Sequence, residues 1–295
     1  MKKYSGFFVS DAWVSVIQRG FSTVVTRVAM PGNTSCPVFV FKKGPFKLAY
    51  PHFPSVVAPE ELQHLVEQAE DSELNFHLMR CLTREFPKNA QGFVMIAEQP
   101  ETIVHQLQEF DPQKDNKLKR AIRRANRFDT KITRDPETLQ ANVLYDMYRT
   151  TINARRGNLR YNLPYFEELL RVSRTSDDLS ILVACTENKL SGFLVVAIDN
   201  EEAHYLHSAY DRDFGKHGIT DLLVEQAFIY AKENGANAFN FGVSPVNQPE
   251  LTRFKEKWGG VTSTQYTLEY TGHKFWGGLL KMAIRILSLK NFLRN

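Results

Sequence analysis

Between His207 and Gly260 the chain gathers side chains suited to moving an acyl group: His207, Tyr210 and Asp211, followed by Arg212-Asp213-Phe214-Gly215-Lys216-His217-Gly218. Attack of an amine on a carbonyl needs the amine deprotonated, usually by a carboxylate or histidine acting directly or through one water. The oxyanion that forms is held by a backbone N–H, and a tyrosine or similar acid protonates the leaving group. His207, Tyr210 and Asp211 offer these groups at the end of a strand-like run. Half-buried packing is the competing reading for the histidine and the tyrosine. Gly215 and Gly218 let a backbone approach a phosphate or a pantetheine arm, with Arg212 and Lys216 adding charge. The plainer alternative is a loop that needs positive φ ahead of a helix.

Such residues need a strand, a loop and a helix to hold them. A helix is expected from Ile219 to Asn234, stopping at Gly235, and a short apolar strand from Ala238 to Phe241 follows. A loop that opens a helix directly after a strand collects free N–H groups and the positive end of the helix dipole. Phosphates bind at such a place without any special side chain. In the next helix Phe254 and Trp258, four apart, share a face. Lys255 there is a donor-site candidate, and a helix capping the sheet edge is the alternative. Upstream, helices over 138–154 and 164–173 flank RRGNLRYN, whose Arg155, Arg156 and Tyr161 could line an acceptor site or a solvated loop. Strands over 179–185, 190–198 and 203–209 read as an antiparallel meander. Alternation places His207 and Ala209 on one face, Ser208 and Tyr210 on the other. The order of the second half is thus α-α-β-β-β-α-β-α-β.

The first hundred residues give short strand-like runs (24–30, 38–41, 47–50, 75–79 and 92–97) broken by proline and glycine clusters, with one helix over 60–70. A second helix is expected over 101–110 and a very basic one over 114–127. Arg120, Arg124, Arg127, Lys131 and Arg134 fall at spacings of four, three, four and three, one stripe if that helix continues. Leu118, Ile122 and Ala125 form its buried edge. The stripe suits RNA phosphates or a pyrophosphate-linked sugar, but it lacks interleaved aromatics for base stacking, so a solvated face is the alternative.

With 295 residues, 43 % of them hydrophobic and 24 % charged, the chain has room for two globular domains, each with its own core. A net charge of +4 is too small to identify a nucleic-acid binder, so the distribution of charge must decide. Cys36, Cys81 and Cys185 are scattered and odd in number, which argues against structural disulfides and a zinc site and for a reducing cytoplasm. The opening MKKYSGFFVSDAWVSV lacks the apolar core and cleavage site of a signal peptide. Beyond Glu269 the chain has no acid. Phe275, Leu279, Met282, Ile286, Leu289 and Leu293 recur at helical spacing among Lys274, Lys281, Arg285, Lys290 and Arg294. Residues 273–294 are therefore expected to form a basic amphipathic helix, placed on an anionic membrane surface or on protein.

The order of elements, together with SAYD before a glycine-bearing loop, a strand ending FNFG, and LTRFKEKWGG, resembles the GNAT fold and within it the Fem-type peptidoglycan aminoacyltransferases. It is also similar to related acyltransferases of exopolysaccharide and envelope pathways. KLKRAIRRANR resembles the basic helix that joins the two halves of such proteins. The resemblance implies an α/β fold with a mixed sheet and tandem GNAT-like domains. Residues 1–112 would be a degenerate first domain, 113–134 the basic connecting helix, 135–271 the donor-binding domain and 272–295 the C-terminal helix. It implies an N-acyltransferase without a metal that works by direct attack in a ternary complex. Acyl-CoA is the first choice of donor, and a small-molecule or lipid-linked amine is the acceptor. The usual pyrophosphate loop, (Arg/Gln)-x-x-Gly-x-(Gly/Ala), is altered here, because the second glycine moves out by one residue to Gly218. That leaves room for aminoacyl-tRNA as donor. A catalytically silent, membrane-associated binding protein is the third reading. The expected location is the cytoplasm, with the inner face of the membrane as an alternative.

Overall fold

The computed structural model describes residues 4–72, 74–87, 91–154 and 157–271; of Lys43, Gly215 and Lys216 only the backbone is described. The expectations for Arg155, Arg156 and the helix over 273–294 lie outside the described residues. In chain order the elements are α1 (Asp11–Phe21), β1 (Val24–Met30), β2 (Thr34–Lys43), β3 (Phe46–Pro51), α2 (Leu62–Asp71), β4 (Leu78–Thr83) and β5 (Phe93–Val104). Then come α3 (Asn116–Ala125), β6 (Thr130–Arg134), α4 (Ala141–Ala154), α5 (Leu163–Ser173), β7 (Leu179–Thr186), β8 (Lys189–Asp199) and β9 (Glu202–Tyr210). The described residues close with α6 (Ile219–Glu233), β10 (Ala238–Val243), α7 (Pro249–Lys257) and β11 (Val261–Thr271). From α4 onward this is the order read from the sequence.

The chain forms two compact units that do not follow a linear cut at residue 112. Residues 5–21 and 99–263 make the second unit, and among the described residues the first unit takes Tyr4, 22–98 and 264–271. In the first unit β1, β2 and β3 run antiparallel, β4 lies parallel to β3, and β11 pairs antiparallel with β4. Leu65 and Val66 of α2 are buried, as are Val38, Met79, Cys36 and Cys81. Burial pushes both thiols well up, so they are packing groups and not nucleophiles.

In the second unit the strand order is β5-β10-β9-β8-β7-β6. β10 is parallel to β9 and antiparallel to β5, and the meander β6-β7-β8-β9 is antiparallel throughout. β7 and β8 read as continuous apolar runs because both of their faces are covered. Leu223, Val224 and Phe228 of α6 pack with Leu194, Val196, Phe239 and Phe241 in one core. The other face meets α4 and α5, whose Tyr165, Phe166 and Leu169 are buried.

Three expectations are corrected here. Residues 101–110 are not a helix: Thr102, Ile103 and Val104 are β-branched, Glu101, Ile103 and Val104 pair with β10, and only Leu107–Glu109 form a 3₁₀ turn. The basic helix stops at Ala125, and Thr130–Arg134 pairs with β7, so Lys131 and Arg134 leave the helical stripe. The Thr130 and Thr186 hydroxyls, 2.8 Å apart, tie that edge strand down. Third, residues 11–21, given no element from the sequence, form α1. Its Trp13, Val16 and Ile17 are buried, and a Cβ at Gly20 would lie 2.8 Å from Tyr165 Cβ. Glycine is what lets α1 and α5 approach so closely.

Candidate active site

The feature that organises the site is an interruption in the sheet. β9 and β10 pair as parallel strands through only three registers, Glu202 with Ala238, Ala203 with Phe239 and His204 with Asn240. Beyond them β9 runs on to Tyr210 and β10 to Val243 without pairing to each other. Asn240 accounts for the parting. Its Nδ2 donates to Glu101 Oε1 of β5 at 2.7 Å and to Glu202 Oε1 of β9 at 2.8 Å, while its Oδ1 accepts the Gly242 N–H at 2.6 Å. Gly242, at φ +69°, turns the chain aside, and the register between β10 and β5 shifts at the same place. The rings of Tyr205 and Phe241, 5.8 Å apart, mark the base of the opening.

β9 carries its own irregularity. Val195 pairs with His207 and Val196 with Tyr205, so Leu206 is an extra residue, a bulge. The bulge turns His207 to the side of His204, toward α4 and α5, and leaves Tyr210 on the α6 side with Tyr205. Past the strand end, Asp211 Oδ1 accepts the Asp213 N–H at 3.0 Å and starts the 3₁₀ turn Arg212–His217. Gly218 then opens α6 at φ +70° with no side-chain cap. A Cβ on Gly218 would sit 2.8 Å from Ala125 Cβ, so both backbone conformation and packing on α3 demand glycine. His217 stacks on Phe128 with centroids 3.8 Å apart, and its Nδ1 is buried without a partner among the described residues.

Tyr210, Asp211 and Arg212 come together in a cavity of about 330 Å³ whose other wall is α4: Val143, Asp146, Met147, Thr150 and Thr151. These five helix residues share one face by spacing. They were missed in the sequence because a stripe of two apolar, one acidic and two hydroxyl residues reads as an ordinary half-exposed helix. Asn240 and Glu101 were missed too, although an asparagine inside the apolar run AFNF was a usable signal.

The remaining candidates are placed elsewhere. His207 is ringed by Tyr148, Tyr161, Tyr165 and Phe166, and its Nε2 shares a 2.8 Å hydrogen bond with Tyr165 Oη. Burial lowers its pKa to about 3. So weak a base cannot take a proton from an amine near neutral pH, and His207 acts as a neutral linker between β9 and α5. Tyr161 belongs to the same cluster, 4.4 Å from both the Tyr165 and the His207 ring centroids, rather than to an open loop; burial raises its pKa to about 12. Lys255 is buried, and its Nζ donates to the Gly242 and Val243 carbonyls at 2.7 and 3.0 Å, holding the end of β10. Desolvation lowers its pKa to about 8, opposed by the Glu101 charge. Trp258 is buried and donates to Asp221 of α6 at 3.2 Å, as the capping alternative for that helix requires. Arg120, Arg123, Arg124 and Arg127 are exposed on and just past α3, beside the Gly218 loop, with no carboxylate in ion-pair range among the described residues. Among the described residues no cluster of potential metal ligands occurs.

Residues 113–256 match the family model described as an acetyltransferase (GNAT) domain. Together with the interrupted sheet and the glycine-opened helix, this defines residues 113–256 as a GNAT-type acyltransferase domain. Within that class the fold is Fem-like. The crystal structure of FemX superposes with a TM-score of 0.69 at 12 % identity, over 91 % of this chain and 93 % of that one. The C-terminal domain of a putative lysylphosphatidylglycerol synthetase from Agrobacterium fabrum gives 0.59 at 14 % identity, over 94 % and 92 %. A tandem GNAT protein of the clavulanic acid biosynthesis pathway gives 0.53 at 12 %, over 89 % and 87 %. No curated protein sequence matches the chain.

Proposed function

We propose that the protein transfers an acyl group to an amine of an envelope or polysaccharide precursor, by direct attack within a ternary complex. The parting of β9 from β10 beside the opening of α6 carries this reading, because it offers a slot for an activated carbonyl with its phosphates at the helix end. The acceptor nitrogen forms a bond to the donor carbonyl carbon, and the bond from that carbon to the leaving sulfur or oxygen breaks. Asp211 takes the proton from the amine, directly or through a water, and Tyr210 protonates the departing group. Arg212, Lys216 and the backbone at Gly215 and Gly218 are the donor-phosphate contacts of this reading, and the cavity against α4 is its acceptor side. The donor site of this reading belongs to the second unit, and the first unit is a degenerate first copy. The work is done in the cytoplasm, at the inner face of the membrane when the acceptor is lipid-linked.

Acyl-CoA is the donor to test first. Dialysed, RNA-free protein should melt at a higher temperature with CoA, and a flat response at millimolar CoA removes this donor. Aminoacyl-tRNA is the second reading, favoured by the exposed arginines of α3 next to the loop. It requires tRNA binding that weakens steeply with salt. Replacing Arg120, Arg124 and Arg127 by glutamine should then flatten the slope of log affinity against log salt by roughly 0.7–0.9 for each phosphate no longer neutralised. An unchanged slope discards it.

A further inference from the structure

The α4 wall of the cavity carries a carboxylate for which the transfer step has no use. Asp146 lines the same space as Asp211, and among the described lining residues Arg212 is the one cation. Under the reading above, Asp211 takes the proton of the amine and Arg212 faces the phosphates of the donor. An acceptor with a single amine would cover Asp146 without bringing it a charge to meet, and covering an unmatched carboxylate is costly.

In the free protein Asp146 Oδ1 is paired with Arg149, one turn further along α4, at 2.9 Å. Both side chains are exposed, the aspartate by 58 % and the arginine by 52 %, so water screens the pair and it holds weakly. Arg149 also lies 6.0 Å from the Tyr145 ring, a second resting place on the same helix. A ligand cation can therefore replace Arg149 on Asp146 at little cost. Val143 and Met147 flank the carboxylate with aliphatic surface, and the Thr150 hydroxyl stands one turn beyond it. At about 330 Å³ the cavity is at the small end of ligand sites, and it takes a small molecule or the end of a larger one.

We propose that Asp146 sets acceptor specificity by pairing with a second cationic group on a molecule that already carries the reacting amine. The preferred acceptor is then a diamine, or a larger molecule ending in one. This rests on the transfer reading, which places the acceptor against α4. Full-length protein is given acetyl-CoA with 1,5-diaminopentane, pentylamine or 5-aminopentanoate, amines of similar length whose far ends are cationic, neutral and anionic. Wild type should favour the diamine over pentylamine by about tenfold in kcat/KM and use 5-aminopentanoate least. Asp146→Asn should bring the ratio of diamine to pentylamine to about one, through KM and not kcat. Asp146→Lys should reverse the order in favour of 5-aminopentanoate, which a merely structural role would not do. Arg149→Ala should lower KM for the diamine by removing its competitor. Equilibrium dialysis of radiolabelled 1,5-diaminopentane and pentylamine makes the same comparison without a donor. Diamine binding that Asp146→Asn removes, in the absence of transfer, supports the site and discards acetyl-CoA. Equal use of the three amines by wild type, or an order unchanged in both Asp146 variants, overturns the role of Asp146 while transfer itself stands. Neither transfer nor diamine binding overturns both readings.

Discussion

His207 and Tyr210, three apart on one strand, serve different ends, and each makes a prediction. The neutral form of His207 is favoured in the fold, with a pKa of about 3 against roughly 6.5 when unfolded. The unfolded chain therefore binds the extra proton first as pH falls. The contribution is complete above about pH 6.5 and declines toward pH 3, by roughly tenfold in the folding equilibrium per pH unit. Denaturation at a series of pH values should show this slope in wild type and a shallower one in His207→Gln. Tyr210→Phe should leave the melting temperature unchanged and reduce acyl transfer by at least about tenfold, measured with whichever donor binds. Equal rates remove Tyr210 as the acid. The sequence made both residues visible as chemistry-capable groups on opposite faces. It did not reveal Leu206 as an inserted residue or Tyr165 as the partner of His207, because a bulge and a partner 42 positions away leave no local pattern.

At the scale of elements, the amide of Asn240 sits where the sheet opens. Asn240→Leu should remove a 2.7 Å hydrogen bond from the buried Glu101 carboxylate, at a cost of about 1–3 kcal/mol. It should also weaken donor binding beyond what that instability explains, read as a smaller ligand-induced melting shift at a temperature where the variant is fully folded. Gly218→Ala should cost on the order of 1–3 kcal/mol. Combining it with Ala125→Gly relieves the packing part and leaves the backbone part, which urea titration of both variants would separate. The order from α4 to β11 was legible because apolar runs, polar turns and Gly235 mark each boundary. The stretch 101–104 was not. Glu101 and Thr102 are buried there for reasons of partner, Asn240 and Thr262, that no window of neighbouring residues contains.

For the molecule as a whole, the consequential finding is that linear halves and folded units differ. Trp13, Phe7 and Phe8 are buried in the second unit, and Asp199 Oδ1 accepts the Phe8 N–H at 3.0 Å. Trp13→Ala should cost about 3–5 kcal/mol. Hydrogen exchange should locate the weakening in α5 and β8 while β1 to β3 keep their protection. Length and composition left room for two globular bodies, yet they could not reveal that residues 5–21 share a core with residues translated much later. Residues 5–21 leave the ribosome well before Tyr165 and Asp199, and must wait through the synthesis of residues 22–98 of the first unit before those partners exist to receive them. Throughout that interval a tryptophan and two phenylalanines are without their final shelter. A trigger-type chaperone that holds nascent apolar segments should therefore raise the yield of active protein more than one acting after release.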